Sequence, residues 1–537
     1  MKRRPLTAGA ALSAGLLLAG CAALAPPVAM PPLTPPPMDA AASWQAPQPP
    51  AAGQAALRNW WQQFHDPLLV ELIDAAHVAS PSIAAAASRV EQARAASVAA
   101  GALLLPALNA NANASSGRGD VGGKVVTFAS ANLQASWELD LFGANQAARN
   151  AAVARLEGTQ AGWYEVRIAV AAEVASTYNA LRSCEALVLQ TAADTRSRSE
   201  TARITELGAK AGLFAPASAA LARASAAQGR ALLAGQQAAC DLLVKSLVAL
   251  TAFDEPALRQ RLAPGQAQLP QPAGIAVQSV PGVALMQRPD LLSAERQVLA
   301  AAEDTAQSQA LRYPRVSIAG SVGPALLRVE SSSINGTLWT IGPLQVSLPL
   351  FDGGSLSANV IAARARYDEA VSAYRGLVRT AVREVETALV TLDSSARRVE
   401  DTKIAVEGFE ASLRAADARF KGGLGSLFDL EDARRSALIA QSTLIELQRE
   451  QVAAWIGLYR ALGGGWSPDM APPPVTTGRA ASPPDKAPGR RSRRSARPNA
   501  ARNSSTRRAR SGRLTDGPAR TESRCCRTLI DGHSPRS

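Results

Sequence analysis

The stretch "LQASWELDLFG", residues 133–143, returns in altered form as "LQVSLPLFDGG" at 344–354. Around the first copy, Ala129, Ala131, Leu133, Ala135, Trp137, Leu139 and Leu141 alternate with Ser130, Asn132, Gln134, Ser136, Glu138 and Asp140. A period of two with one apolar and one polar face is the mark of a β-strand. A half-buried strand of a soluble protein alternates in the same way. The length favours a barrel strand with its polar face toward water, because a strand crosses a tilted bilayer in ~9–11 residues. After Phe142-Gly143 the pattern becomes helical, with no proline until Pro216. Taken to Gly208, about 66 residues at ~1.5 Å each predict a rod of roughly 100 Å.

The return of this stretch belongs to a duplication. Pro81 and Pro289 are 208 residues apart, as are Pro106 and Pro314, and Phe142 and Phe351 are separated by 209. Each half reads as an entry helix (67–103 and 283–311), two strands, a long helix, a glycine-rich break and a returning helix. The expected strands are 107–117 and 125–141 in the first repeat (60–261), and 315–328 and 337–350 in the second (283–466). A linker, 262–282, joins them. The breaks, "LGAKAGL" at 207–213 and "KGGLGS" at 421–426, lie at the rod ends farthest from the strands.

Composition supports an elongated body. Aromatic residues make up only 4 % of the 537-residue chain and alanine is abundant, which lets helices approach closely. The net charge of +13 is misleading. Residues 471–537 hold 16 Lys or Arg against 4 acidic residues, and Lys2, Arg3 and Arg4 add three more cations, so residues 21–470 carry −2. A nucleic-acid partner is therefore not expected. The segment 467–537 is rich in Arg, Pro, Ala and Ser without periodicity and is expected to be a disordered basic tail.

"MKRR" followed by "LTAGAALSAGLLLAG" reads as a secretory signal over residues 1–20. It ends in "LAGC", which looks like a bacterial lipoprotein signal, so Cys21 is the expected site of acylation. Ten prolines within 22–50 make 21–59 a lipid-anchored, extended tether. No later stretch is apolar enough for a membrane helix, so any crossing by the mature chain uses strands. Four strands cannot close a barrel and an open edge cannot face lipid, so several chains must meet. The smallest useful barrels have ~8 strands, and three copies would supply 12.

With "LAGC", "WWQQFHDPLLVELIDAA" (60–76), "WELDLFG", "LPLFDGG" and "ARFKGGLGSLFDLEDARRSALIAQ" (418–441), the chain resembles an outer-membrane efflux channel lipoprotein of the TolC/OprM type, in its NodT-like branch, over residues 18–466. The resemblance implies a mainly α fold with a small membrane β part. A long antiparallel α-helical barrel and four transmembrane β-strands per protomer would close as a homotrimer with a 12-strand barrel in outer-membrane lipid. It implies a passive gated duct of a tripartite pump, with a periplasmic membrane-fusion adaptor protein and an inner-membrane RND-type transporter as partners. Adaptor contacts would fall on the tip turns, at Leu207, Gly208, Gly212, Gly422, Gly423 and Gly425. Phe428 and Asp432, four apart on one helix face, match the positions that line the closed periplasmic entrance as an apolar and an acidic ring. Many relatives have tyrosine where this chain has Phe420.

Cys184 and Cys240 are centred on position 212, inside the first tip turn. In an antiparallel hairpin they stand at one height, ~40 Å from the tip, and the periplasm permits a disulfide; the alternative is two unpaired cysteines. Cys525 and Cys526 receive no role. His65, His77 and His533 show no metal-ligand spacing. No nucleophile or phosphate-loop motif occurs, so neither metal, cofactor nor catalysis is expected, the N-terminal lipid aside. Two other functions fit the helical body: the duct of a type I protein secretion system, and a lipid-anchored periplasmic spacer without a pore.

Overall fold

A computed structural model describes residues 31–32, 43–48, 57–118, 124–272, 275, 281–329, 331–467 and 470. The chain divides into Met1–Val475 and Thr476–Ser537, and the second unit lies wholly outside the described residues. So do the expected lipidation site Cys21, Cys525 and Cys526 and most of the basic tail.

After a 3-10 turn at Leu57–Phe64, helix α1 spans Pro67–Ala79 and α2 spans Pro81–Ala102. The single helix expected over 67–103 is thus two, bent by 49° at Ser80. Pro81 has no N–H to continue the ladder, and Ser80 caps the new helix by accepting from the Ile83 amide at 3.4 Å. Asp66 starts α1, accepting from the Leu68 and Leu69 amides. Strands β1 (Ala107–Arg118) and β2 (Val125–Leu139) lead to the 67-residue rod α3, Ala144–Lys210, and the returning helix α4, Pro216–Thr251. A short α5, Glu255–Leu262, closes the first half.

The second half enters through α6 (Pro281–Leu285) and α7 (Pro289–Ala310), where one segment over 283–311 was expected; the break falls at Arg288-Pro289. Strands β3 (Arg315–Val329) and β4 (Ser332–Ser347) follow. Then come α8, Ser355–Lys421, again 67 residues, and α9, Leu427–Ala461.

Strand ends differ from the alternation because other bonds compete for their residues. β2 stops at Leu139 rather than 141. Asp140 instead turns its carboxylate to the Asn145 and Gln146 amides (3.1 and 2.7 Å) and starts the rod. Asp352 repeats the device, accepting from the Gly354 and Leu356 amides. Such carboxylates satisfy orphan N–H groups and oppose the helix dipole. β4 runs 332–347 rather than 337–350. Its polar start, Ser332–Asn335, pairs with Leu326–Val329, and Pro349 cannot donate to the ladder.

The four strands form one antiparallel sheet in the order β1-β2-β3-β4. The repeats meet at β2–β3, with Trp137 opposite Ile318. Among the described residues, β1 pairs only with β2 and β4 only with β3, so each protomer presents two open edges.

The main core lies between the rods and α1, α4 and α9. Trp60 is fully buried and stacks on Tyr459 with ring centroids 5.0 Å apart, and Trp61 meets the same ring edge-on at 4.7 Å. Burial pushes the Tyr459 hydroxyl up to about 12. The tether is fastened here. Trp44 is buried, and the Gln45 and Ala46 amides donate to the Glu386 carboxylate at 2.7 and 2.8 Å. Residues 43–48, part of the expected extended tether, are thus fixed to α8, because an indole finds an apolar slot and Glu386 accepts from the two amides that follow it.

Candidate functional site

Two regions carry the chemistry: the sheet faces and the rod tips. On the sheet, cross-strand partners share a face. Leu133, Ala135 and Trp137 pair with Val322, Gly320 and Ile318, and these with Trp339, Ile341 and Leu344. That face is apolar. The other carries Asn111 donating to Gln134 (3.2 Å) and the Ser321–Thr340 hydroxyl pair (2.9 Å). An apolar outer face with an inner face that is polar over most of its length, and that carries Glu138 and Arg315 at the end nearest the rods, is the arrangement of a membrane barrel wall around water.

At the far end each rod closes in the same way. The Leu213 amide donates to the Gly208 carbonyl and the Leu424 amide to the Arg419 carbonyl, each at 2.8 Å and each spanning five residues. Gly212 and Gly423 sit between, with φ of +73° and +72°. This is the Schellman closure, which needs a left-handed residue at C′. Leu207, Leu213 and Leu424 project into solvent. Gly208 leaves room for an aromatic ring, since a Cβ there would collide with Phe214. Phe214 in turn stacks on Phe420 across the two hairpins at 6.1 Å. Gly425 lies against the Arg419 side chain, and Gly422 receives the end of α8, donating to the Ala418 carbonyl.

Ser426 caps α9 reciprocally with Asp429, and Phe428 in that first turn is 70 % exposed. Asp432 is also exposed, 3.8 Å from Arg435. The apolar side chains of Leu427 and Leu430 are buried instead, so Phe428 and Asp432 occupy the face of α9 that its own protomer leaves open.

Behind that face is a buried ionic cluster that sequence reading did not single out. Glu431 (8 % exposed) accepts from Ser225 at 2.6 Å, from Arg198 at 3.2 Å and from Arg434. Arg434 (3 % exposed) also donates to Ser197 and Thr201. Asp194 accepts from Arg198 at 2.6 Å and lies 3.8 Å from Arg434. Two cations and two anions therefore bind α3 and α4 of the first repeat to α9 of the second. The spacings Asp194/Arg198 and Glu431/Arg434 are visible in the sequence. Exposed Glu200/Arg203 has similar spacing, so spacing alone does not reveal burial.

Farther up the first hairpin a disulfide joins Cys184 to Cys240, with Cα atoms 5.6 Å apart. Near the core, burial lowers the pKa of His77, and the neighbouring Arg167 lowers it further. Burial raises that of Glu165, reinforced by Asp290.

A half-built sheet with an apolar exterior, continued by paired 67-residue rods, defines one subunit of a membrane channel that extends into a helical duct. The chain belongs to the outer membrane efflux protein family, whose model matches residues 72–252 and 280–464, one stretch in each repeat. It is 29 % identical over 430 residues to the solvent efflux pump outer membrane protein SrpC of Pseudomonas putida, covering 75 % of this chain and 87 % of that protein. It is 27 % identical to the pyoverdine export outer membrane protein OpmQ of Pseudomonas aeruginosa, covering 85 % and 97 %. Among solved structures it is similar to the outer-membrane channel OprN (TM-score 0.72, 26 % identity, 82 % and 99 % covered). It is also similar to VceC of Vibrio cholerae (0.67, 27 %, 77 % and 100 %). The protein is an outer-membrane efflux channel of this family.

Proposed function

We propose that three copies of this chain close a 12-strand barrel in the outer membrane, anchored also by a lipid on Cys21. Each copy's α3, α4, α8 and α9 contribute to one periplasmic helical duct. The observation that carries this is the sheet with one apolar face and two open edges. Lipid cannot satisfy an open edge, so β1 of one copy must meet β4 of the next. The duct is passive. A periplasmic adaptor docks on the tip turns at Leu207–Leu213 and Lys421–Ser426, and an inner-membrane RND-type transporter supplies the work. The relatives named for solvents and for pyoverdine support small-molecule efflux as the cargo class.

Phe428 and Asp432, repeated three times round the axis, form an apolar and an acidic ring at the periplasmic entrance. Three carboxylates facing one opening attract cations. The test is single-channel recording of the purified protein in planar bilayers. Wild type conducts and prefers cations, and Asp432→Ala reduces that preference. Absence of conductance removes the pore reading, and unchanged selectivity removes the ring. Deleting the gene and measuring drug sensitivity beside protein secretion separates efflux from a secretion duct.

A further inference from the structure

The apolar exterior of the sheet ends abruptly toward the extracellular side. Trp137 marks the opposite, periplasmic end of that face. Its indole N–H donates to the Leu104 carbonyl at 3.0 Å, as expected of an interfacial tryptophan. Ile318 lies opposite Trp137, and Arg328 is ten residues farther along β3 on the same face. At ~3.3 Å per residue and a tilt of ~40°, Arg328 stands about 25 Å above Trp137, which is the height of an outward apolar band.

At that level the two faces exchange character. Outward, Arg328 pairs with Thr127, whose hydroxyl meets Ser116 at 2.9 Å. Arg118, opposite Val125, points the same way. Inward, Phe128 pairs with Leu327. Arg118 and Arg328 are exposed, and among the described residues neither has an anionic partner. They stand on strands flanking β2, roughly 10–12 Å apart by strand spacing and register. Asp120 and Glu330, the nearest acids in sequence, lie outside the described residues.

We infer that Arg118 and Arg328 form an outward-facing clamp for the phosphate groups of an outer-leaflet glycolipid. A guanidinium matches phosphate with two parallel N–H donors, and charge at headgroup depth is attracted by anionic lipid. The apolar band directly beneath would take the acyl chains of the same lipid. Three copies give the barrel a collar of such clamps. This rests on the barrel crossing the outer membrane and goes beyond the duct function.

The test uses the purified full-length protein and native mass spectrometry. The probes are lipopolysaccharide with intact phosphates, the same lipid after phosphatase treatment, and inorganic phosphate alone. Wild type retains the phosphorylated lipid. The double variant Arg118→Gln/Arg328→Gln retains it at least tenfold less, and Arg118→Lys/Arg328→Lys recovers part of the loss. Equal retention by the glutamine variant overturns the proposal, as does equal binding of the dephosphorylated lipid. Inorganic phosphate binding as tightly as the lipid also overturns it, since the site would then be an ion site. Conductance of the glutamine variant is unchanged, which keeps the outcome separate from the pore reading.

Discussion

Gly212 and Gly423, 211 residues apart in sequence, hold backbone angles within one degree of each other, φ +73° and +72°, at the ends of two rods of identical length. Neither has an atom within 4 Å of where a Cβ would stand. The requirement at both is conformational, not spatial. Gly212→Ala and Gly423→Ala should each cost about 1–2 kcal/mol, the penalty of a left-handed L-residue, and loosen one tip turn. Thermal unfolding checks the cost. Limited proteolysis localises it to 207–213 or 421–426.

Gly208→Ala acts differently. Its methyl group collides with Phe214 and must displace the ring from Phe420. The expected result is weaker coupling between the two hairpins, read as lost drug resistance in a complementation assay with the protein still folded. Full resistance at normal expression would show that the stack is dispensable.

Removing Glu431 leaves the buried Arg198 and Arg434 with Asp194 as the one carboxylate of the cluster between them. Breaking a buried ion pair from one side costs about 3–5 kcal/mol. Glu431→Ala should therefore release α9 from α3 near the entrance, raising single-channel conductance and admitting large antibiotics. Glu431→Gln keeps the shape and some hydrogen bonds and should lie between. If the alanine variant conducts as wild type does, the cluster plays no part in limiting conductance.

Cys184→Ser removes a cross-link enclosing most of the first hairpin. A cross-link of this span stabilises by about 2–4 kcal/mol, so the variant should unfold at lower denaturant. Wild type should shift in gel mobility on reduction and the variant should not.

His77 gives a pH dependence whose sign is fixed by its surroundings. Burial and Arg167 hold its pKa below 6.5, although Asp74 and the Arg167 carbonyl pull the other way. The unfolded chain then binds the proton more readily. The stability contribution is complete above pH 6.5 and is lost as pH falls through and below that value. His77→Gln should flatten the decline between about pH 7 and 5 in thermal unfolding, against a wild-type slope in the same buffers. An identical slope in the variant assigns the acid sensitivity to other groups.

Much of the architecture was legible in local pattern. Period two in 129–141 and the long proline-free run to Pro216 are properties of consecutive residues, as is the register of Pro81 with Pro289. Strand limits were harder, because Asp140 can serve either a strand or a helix start, and only the cap it makes decides. The 49° bend at Ser80 follows from Pro81, but the run from Pro67 to Leu103 reads as one helix unless its hydrogen bonds are counted. Trp44 reads as part of a proline-rich tether, and only the slot that receives it fixes residues 43–48 to α8.

The sequence by itself determined that the chain is a doubled unit of strands and rods, since alternation, helix-breaking residues and repeat spacing act over short range. Tertiary structure decided which charges are buried. Glu431 and Glu200 carry the same carboxylate and sit at similar spacings from an arginine. One faces two helices of the other repeat and the other faces water. That difference arises only when segments some 230 residues apart pack together, and it sets whether an ion pair joins two parts of the molecule or merely decorates its surface.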